Sequence, residues 1–246
     1  MNRPPHRNRV ANAENATLHA WDVSPAEARR IQADLAARVD LTDAITLDAI
    51  ETVAGVDNTY VTQDGMTTAG AVVVVLTFPA MEVVETAFVW QPIAFPYVPG
   101  LLSFREAPAV LAACADLTVE PDVFLFDGQG YAHPRRLGLA SHLGLFLQRP
   151  TIGCAKSRLV GEHAEPERVF GAHTPLVHRG EVVGAAVRTR PRHKPLFVSP
   201  GHKISVDTAV ALALACCRDG AFLPEPTRLA HEVVTQQRRA RIESHR

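Results

Sequence analysis

The sequence has few cysteines, no long apolar run and almost no net charge. Its four cysteines form no C-x-x-C pair, which argues against a structural zinc site. No apolar run reaches the roughly 18 residues of a membrane span, and none follows the first residues as in a secretory signal. The net charge of -1 weighs against a protein that coats nucleic acid by charge alone. We therefore expect a cytoplasmic protein with reduced thiols and no membrane partner.

Common catalytic signatures are also missing. The sequence contains no G-x-S-x-G elbow and no H-E-x-x-H zinc motif. Gly128 and Gly130 match the first two glycines of a dinucleotide fingerprint, but His133 stands at the third place. Asp127, which precedes them, would repel a pyrophosphate. A nucleotide-cofactor enzyme is therefore the weaker alternative.

The chain shows no repeat and no low-complexity linker. Its 246 residues suit one domain, which we predict over 21–235, after a disordered lead at 1–20 and before a basic tail at 236–246. Moderate size and the lack of a coiled-coil pattern favour a monomer. Positive charge is concentrated at 188–194 and 238–246, although such runs are more often simply solvated surface.

The order of predicted elements favours one mixed α/β sheet with helices on both faces. A meander of three strands is followed by helix, strand, helix and strand. This order matches the ribonuclease H-like architecture, with five central strands, C-terminal additions, and the first and fourth strands adjacent. The predicted elements are a helix from about Ser24, strands at 52–61, 70–78 and 82–90, a helix at 104–117, a strand at 122–127, a helix at 136–147, a strand at 152–155, extended segments at 181–189 and 196–198, and helices at 206–217 and from about Arg228.

Two aspartates lie within apolar strand segments. Asp57 interrupts the first predicted strand and Asp127 ends the fourth. A carboxylate in such surroundings is costly to bury unless it is paired or binds a metal. A single strand-end aspartate is more often a cap or turn residue. If the two strands are adjacent, however, the carboxylates converge into a hard oxygen site that suits Mg²⁺ or Mn²⁺.

Further candidates are weaker when each is taken alone. Glu106 starts a helix, where the helix dipole already favours a glutamate. Lys156 follows a strand, at the edge of the sheet where α/β proteins bind ligands. Tyr97 stands between two prolines, so it either packs under the turn or is held rigidly enough to stack on a base. His133 and His231, as isolated histidines, are more often structural or exposed.

Six spaced blocks, running in order from about Trp21 to His231, resemble the endonuclease V family. Any one block alone would be weak evidence, but together they are highly specific. The blocks are Ala-Gly-Val-Asp at 54–57, Pro-Tyr-Val-Pro-Gly-Leu-Leu-Ser-Phe-Arg-Glu at 96–106, Pro-Asp-Val-Phe-Leu-Phe-Asp-Gly-Gln-Gly at 121–130, His-Pro-Arg-Arg at 133–136, Thr-Ile-Gly-Cys-Ala-Lys at 151–156 and Pro-Glu-Pro-Thr-Arg-Leu-Ala-His at 224–231. The segment after His231 is longer and more basic than the resemblance leads us to expect.

The resemblance implies Mg²⁺-dependent hydrolysis of nucleic acid, with Mn²⁺ able to substitute. It implies that Asp57 and Asp127 bind the metal directly. Glu106 and His231 match positions that complete the catalytic site, partly through water. Lys156 matches a lysine near the scissile phosphate.

The resemblance also implies a substrate. Tyr97 lies in the family's wedge loop, while the base-binding region includes Leu102, Gly128, Gly130 and His133. The expected substrate is DNA containing deaminated purines, above all deoxyinosine. The expected cut is at the second phosphodiester bond 3′ to the lesion, leaving 3′-hydroxyl and 5′-phosphate ends. Inosine-containing RNA remains the main alternative substrate, and a non-catalytic binding module is a lesser one.

Overall fold

The computed structural model of this protein describes residues 18–218 and 220–244. Most of the predicted lead, residues 1–17, therefore lies outside the described residues. The first helix starts as predicted: the Ser24 hydroxyl accepts a hydrogen bond from the Glu27 amide, and Pro25 occupies the first turn. The helices are α1 (Pro25–Ala36), α2 (Leu102–Ala115), α3 (Leu139–Leu147), α4 (Val206–Ala215) and α5 (Glu225–Glu243).

The strands are β1 (Thr52–Gln63), β2 (Met66–Thr77), β3 (Val83–Pro92), β4 (Val123–Phe126), β5 (Thr151–Ala155), β6 (His173–His178), β7 (Glu181–Val187) and β8 (Leu196–His202). They form one mixed sheet in the order β3-β2-β1-β4-β5-β8-β7-β6. β1, β2 and β3 form the predicted antiparallel meander, and β4 runs parallel to both β1 and β5. The predicted adjacency of the first and fourth strands is thus confirmed.

The sheet has eight strands, so it is larger than the five central strands predicted. The segments predicted to be C-terminal additions continue it, since β8 pairs antiparallel with β5 and β7 pairs with β8. The sequence pattern did not reveal β6. This edge strand contains Pro175 and buries only Leu176 fully, so it lacks the apolar alternation of a half-buried strand.

Helices cover both faces of the sheet, as predicted. Val53 and Val74 pack with α4 and α5 on one face, whereas Ala54 and Val73 pack with α2 and α3 on the other. Side chains alternate along a strand, so Gly55 and Asp57 share the face of Val53, which is the face that α5 covers. The helix α5 thereby comes to lie beside Asp57.

Several helix boundaries differ from prediction by two or three residues, and two differences concern α3 and α5. α3 starts at Leu139, later than predicted, because Arg136 has a left-handed backbone with φ of 58°. α5 extends through Glu243, so the described part of the predicted basic tail is mostly helical. Among the described residues, no helix combines the length and apolarity needed to cross a membrane.

Candidate metal centre and cleft

The β1–β4 pairing brings two aspartates together. Asp57 lies within β1, and Asp127 directly follows β4, where its amide donates to the Val56 carbonyl at 3.0 Å. One carboxylate oxygen of each and one imidazole nitrogen of His231 all lie within 4.8 Å of one another. The structure therefore joins three of the sequence-predicted site residues into a single cluster of potential metal ligands.

His231 reaches this cluster from α5. Its Nδ1 lies 2.8 Å from Oδ2 of Asp57, and its side chain is half exposed. Gly55 makes the approach possible, since a Cβ added there would lie 1.9 Å from the Pro226 carbonyl oxygen. A glycine in β1 thus lets the first turn of α5 pack directly on the strand. The sequence block that contains Gly55 did not reveal this role.

The two aspartates repel each other in a largely buried place. Burial raises the pKa of Asp57, and the charge of Asp127 raises it further; the hydrogen bond with His231 opposes the shift. A divalent cation between the carboxylates would offset that repulsion. The electrostatics of the cluster therefore favour a bound cation.

Glu106 lies in α2, beside this cluster. Its carboxyl oxygens are not among the ligand atoms that lie within 4.8 Å of one another. Its carboxyl group accepts a hydrogen bond from the Tyr60 hydroxyl, a partner that the sequence did not reveal. The pKa of Glu106 is raised to about 8, chiefly by burial; the Tyr60 hydrogen bond opposes the rise, whereas the charges of Asp57 and Asp127 add to it. With no cation bound, Glu106 therefore holds a proton at neutral pH.

The raised pKa of Glu106 makes the stability of the cation-free protein depend on pH. Because the folded-state pKa exceeds the ordinary value of 4.5, the stabilisation from this proton is complete below pH 4.5 and is lost as pH rises through about 8. We expect the melting temperature in EDTA to fall by several degrees from about pH 7 to about pH 9, above the range in which histidines titrate.

The matched variant for this measurement is Glu106→Gln, which cannot ionise. It should show a clearly smaller fall over the same pH range. Mg²⁺ should also reduce the fall in the unaltered protein. Identical pH slopes for the two proteins would show that Glu106 does not take up the proton.

Lys156 directly follows β5, and its ammonium group contacts the Asp127 carboxylate. The parallel pairing of β4 with β5 aligns the ends of these strands and so places the two side chains together. Lys156 and Asp127 both line a cleft, so the positive charge of Lys156 lies where the metal cluster meets that cleft. This is a suitable position for a group that neutralises charge on a phosphate.

The cleft beside the cluster has a volume of about 480 Å³, within the range of small-molecule sites. Three of its lining residues have exposed hydrophobic side chains, Tyr97 (71%), Leu102 (37%) and Leu159 (50%). Asp127 contributes to the lining, so the metal cluster opens into the cleft. Other lining residues include Gly100, Ser103, Gly128, Gln129, His133, Leu139, Lys156 and Arg158.

The structure separates the two glycines that sequence reasoning placed in the base-binding region. Gly128 lines the cleft, whereas Gly130 is buried against β8. The Gly130 amide donates to the Ser199 hydroxyl at 2.9 Å, and a Cβ at Gly130 would lie 2.3 Å from the Pro200 carbonyl oxygen. Gly130 therefore shapes the cleft by letting the loop pack on β8, rather than by touching its interior.

His133 lines the cleft as a neutral side chain. Burial, with a further contribution from the charge of Arg135, lowers its pKa to about 4. Arg135 itself holds the cleft wall: its Nη2 donates to the Gly100 carbonyl at 2.7 Å and its Nε to Gln32 at 2.6 Å. A neutral imidazole beside a fixed wall can offer hydrogen bonds to an uncharged ligand such as a nucleobase.

Comparison with known proteins gives consistent results. Residues 33–232 match the family model described as Endonuclease V. Endonuclease V of Gloeobacter violaceus is 50% identical over 235 residues, covering 94% of each chain. The crystal structure of endonuclease V from Bacillus subtilis superposes with a TM-score of 0.89 at 37% identity, covering 93% of this chain and 98% of that one. Endonuclease V of Ciona intestinalis, solved with a 24mer DNA containing an inosine followed by a ribo-adenosine, superposes with a TM-score of 0.73 at 29% identity, covering 86% and 96%.

Proposed function

This chain belongs to the endonuclease V family, and we propose that it is a Mg²⁺-dependent nuclease that nicks DNA beside deaminated purines, deoxyinosine above all. One observation carries the proposal: Asp57, Asp127 and His231 converge at the mouth of a cleft large enough for a nucleobase. The B. subtilis and Ciona enzymes share the fold, and the Ciona enzyme binds DNA containing inosine. These similarities favour the same class of substrate here.

The ligand set supports Mg²⁺, with Mn²⁺ as a substitute. Asp57 and Asp127 supply the carboxylate oxygens that both ions prefer, and an imidazole is compatible with Mn²⁺. The mutual repulsion of the carboxylates would be relieved by a divalent charge. Among the described residues, this is the one group of three or more such side chains close enough to hold an ion.

A bound Mg²⁺ would supply Lewis acidity, activating water and stabilising the leaving 3′-oxygen of the phosphodiester. The residues of the chain have separate tasks in this proposal. Asp57 and Asp127 hold the ion, and His231 orients the Asp57 carboxylate. Lys156 shifts from Asp127 toward the phosphate and neutralises the charge that develops there. Glu106 supplies a buried carboxyl group next to the two aspartates.

Recognition in this proposal requires the damaged base to leave the helix and enter the cleft. Base extrusion costs a few kcal/mol, and less for a weakly paired lesion. Tyr97 would fill the space that the base leaves. Leu102 and Gly128 line the cleft, and backbone groups near Gly128 would read the keto oxygen and ring N–H of hypoxanthine. The cut would fall at the second phosphodiester bond 3′ to the lesion, with 3′-hydroxyl and 5′-phosphate products.

Replacing Tyr97 by alanine should weaken lesion binding while leaving the metal cluster intact. Tyr97 is exposed and is not among the clustered ligands, so the change removes a stacking surface and little else. Base stacking on an aromatic ring contributes roughly 1–3 kcal/mol, so we expect affinity for an inosine duplex to fall about 10-fold or more. Fluorescence anisotropy measures this change. Unchanged affinity would contradict the wedge role.

The direct test of the proposed function is a nicking assay on labelled oligonucleotides with Mg²⁺ or with EDTA. We expect the inosine DNA strand to be cut at the second bond 3′ to inosine with Mg²⁺ only, and an adenosine control to remain intact. A matched inosine RNA strand tests the alternative substrate, which the ribo-adenosine in the Ciona complex makes worth including. Equal cutting of inosine and adenosine strands would refute lesion specificity.

A further inference from the structure

The second half of α5 carries a concentration of arginines beyond the region that matches the family model. The match ends at residue 232, whereas α5 continues to Glu243. Arg238 and Arg239 are exposed and, within residues 18–218 and 220–244, make no ion pair. By contrast, Arg228, earlier in the helix, is bound to Glu225. Two guanidinium groups are thus available to bind an anion.

Helical geometry aligns Arg238 with the metal cluster. It follows His231 by seven positions, which at 3.6 residues per turn brings it within about 20° of the same direction and about 10 Å further along the axis. Arg239 is rotated roughly 100° further about the helix axis, away from the side of α5 that faces the sheet. The buried residues Ala230 and Val234 mark that side. Only one of the two exposed arginines therefore shares the flank of the helix that holds His231.

Arg241 confirms how this part of the helix is oriented. Its guanidinium lies over the Trp90 ring, 4.6 Å from the centroid, on the sheet-facing side. Trp90 lies near the end of β3, so α5 runs from the metal cluster across β1 and β2 toward β3. The cleft extends the opposite way, along the ends of β4 and β5. The metal cluster therefore lies between the cleft and Arg238.

We propose that Arg238 binds a backbone phosphate of the substrate strand beyond the scissile bond, on the side away from the lesion. The inference rests on the proposed function, which puts the lesion base in the cleft and the scissile phosphate at the metal cluster. A strand following that path continues along α5. With about 3.4 Å of rise per nucleotide in duplex DNA, the offset of about 10 Å spans roughly three nucleotides. Arginine suits the task because its planar guanidinium binds phosphate through two parallel hydrogen bonds.

The salt dependence of binding tests this proposal. Arg238→Gln removes one phosphate contact, so the slope of log affinity against log salt concentration for an inosine duplex should become shallower by about 1. Arg239→Gln, the matched control on the outward side, should leave the slope unchanged. Both variants should keep the melting temperature, since neither side chain is buried. An unchanged slope for Arg238→Gln, or equal changes in both variants, would overturn the proposal.

A second measurement locates the contact. In a series of inosine oligonucleotides, one phosphate at a time is replaced by a neutral methylphosphonate. Replacement about three nucleotides 3′ of the cut should weaken binding by the unaltered protein several-fold and should not weaken binding by Arg238→Gln further. Additive losses at every position, or non-additivity only on the 5′ side of the lesion, would contradict the assignment.

Failure of this inference and failure of the proposed function give different results. The binding measurements are made in EDTA and do not require cleavage. A protein that nicks inosine DNA but shows no Arg238 effect keeps its function and loses only this contact. A protein that binds through Arg238 but never nicks loses the proposed activity and keeps the contact.

Discussion

Replacing Asp127 by asparagine is expected to abolish nicking, a loss of more than roughly 10³-fold, while the protein remains folded. The substitution keeps the size of the side chain and removes its charge. Asp127 provides one of the two carboxylates in the cluster, and it lies at the junction between the metal site and the cleft. Steady-state assays on an inosine oligonucleotide measure the loss, and circular dichroism checks the fold.

Asp64→Asn is the matched control for this variant. Asp64 is exposed at the turn between β1 and β2 and has a left-handed backbone with φ of 49°, which asparagine tolerates well. It should nick at the unaltered rate. In addition, Asp127→Asn should retain inosine binding, since Tyr97 is unchanged and asparagine keeps the size of the side chain that Asp127 contributes to the cleft lining. Full Mg²⁺-dependent activity in Asp127→Asn would remove Asp127 from the catalytic site.

Replacing Gly55 by alanine should lower both activity and stability without touching a catalytic group. The new methyl would lie 1.9 Å from the Pro226 carbonyl, so either α5 or β1 must move. Overpacking of this kind typically costs about 1–3 kcal/mol. A shift of about 1 Å in His231 relative to Asp57 can lower the rate by roughly 100-fold. Nicking assays well below the melting temperature, combined with thermal unfolding, measure both effects.

Gly184→Ala distinguishes the loss of activity from the loss of stability. Gly184 lies in β7, away from the metal cluster, and a methyl there would lie 2.4 Å from the Val198 carbonyl oxygen. We expect a similar loss of stability but nearly normal nicking by the folded protein. If Gly184→Ala loses as much activity as Gly55→Ala, the close approach of α5 to β1 has no special role in catalysis.

The contact between Asp57 and Asp127 follows from local sequence patterns. The order of strands and helices predicts that β1 and β4 are neighbours. The acidic residues of these two apolar strand segments are then expected to lie close together. Tyr97 is likewise marked by the prolines around it, and the structure leaves it exposed at the cleft. Each of these features can be predicted from a pattern among neighbouring residues in the chain, and the meeting of the two aspartates also requires a common topology.

Other features depend on packing between distant segments. His231 is separated from Asp57 by 174 positions, and only the resemblance connected them in advance. The contact depends on Gly55, whose missing side chain has no periodic signature. The hydrogen bond from Tyr60 to Glu106 connects β1 to α2, and no sequence pattern predicted it. The burial of Gly130 against β8 depends on a strand that lies outside the predicted five.

Binding of Mn²⁺ followed by electron paramagnetic resonance tests most directly whether β1, β4 and α5 together build an ion site. The unaltered protein should take up the ion, Asp57→Asn and Asp127→Asn should each bind it far more weakly, and Mg²⁺ should displace it. Uptake that is equal in all three proteins, or absent from the unaltered protein even with inosine DNA bound, would contradict the account.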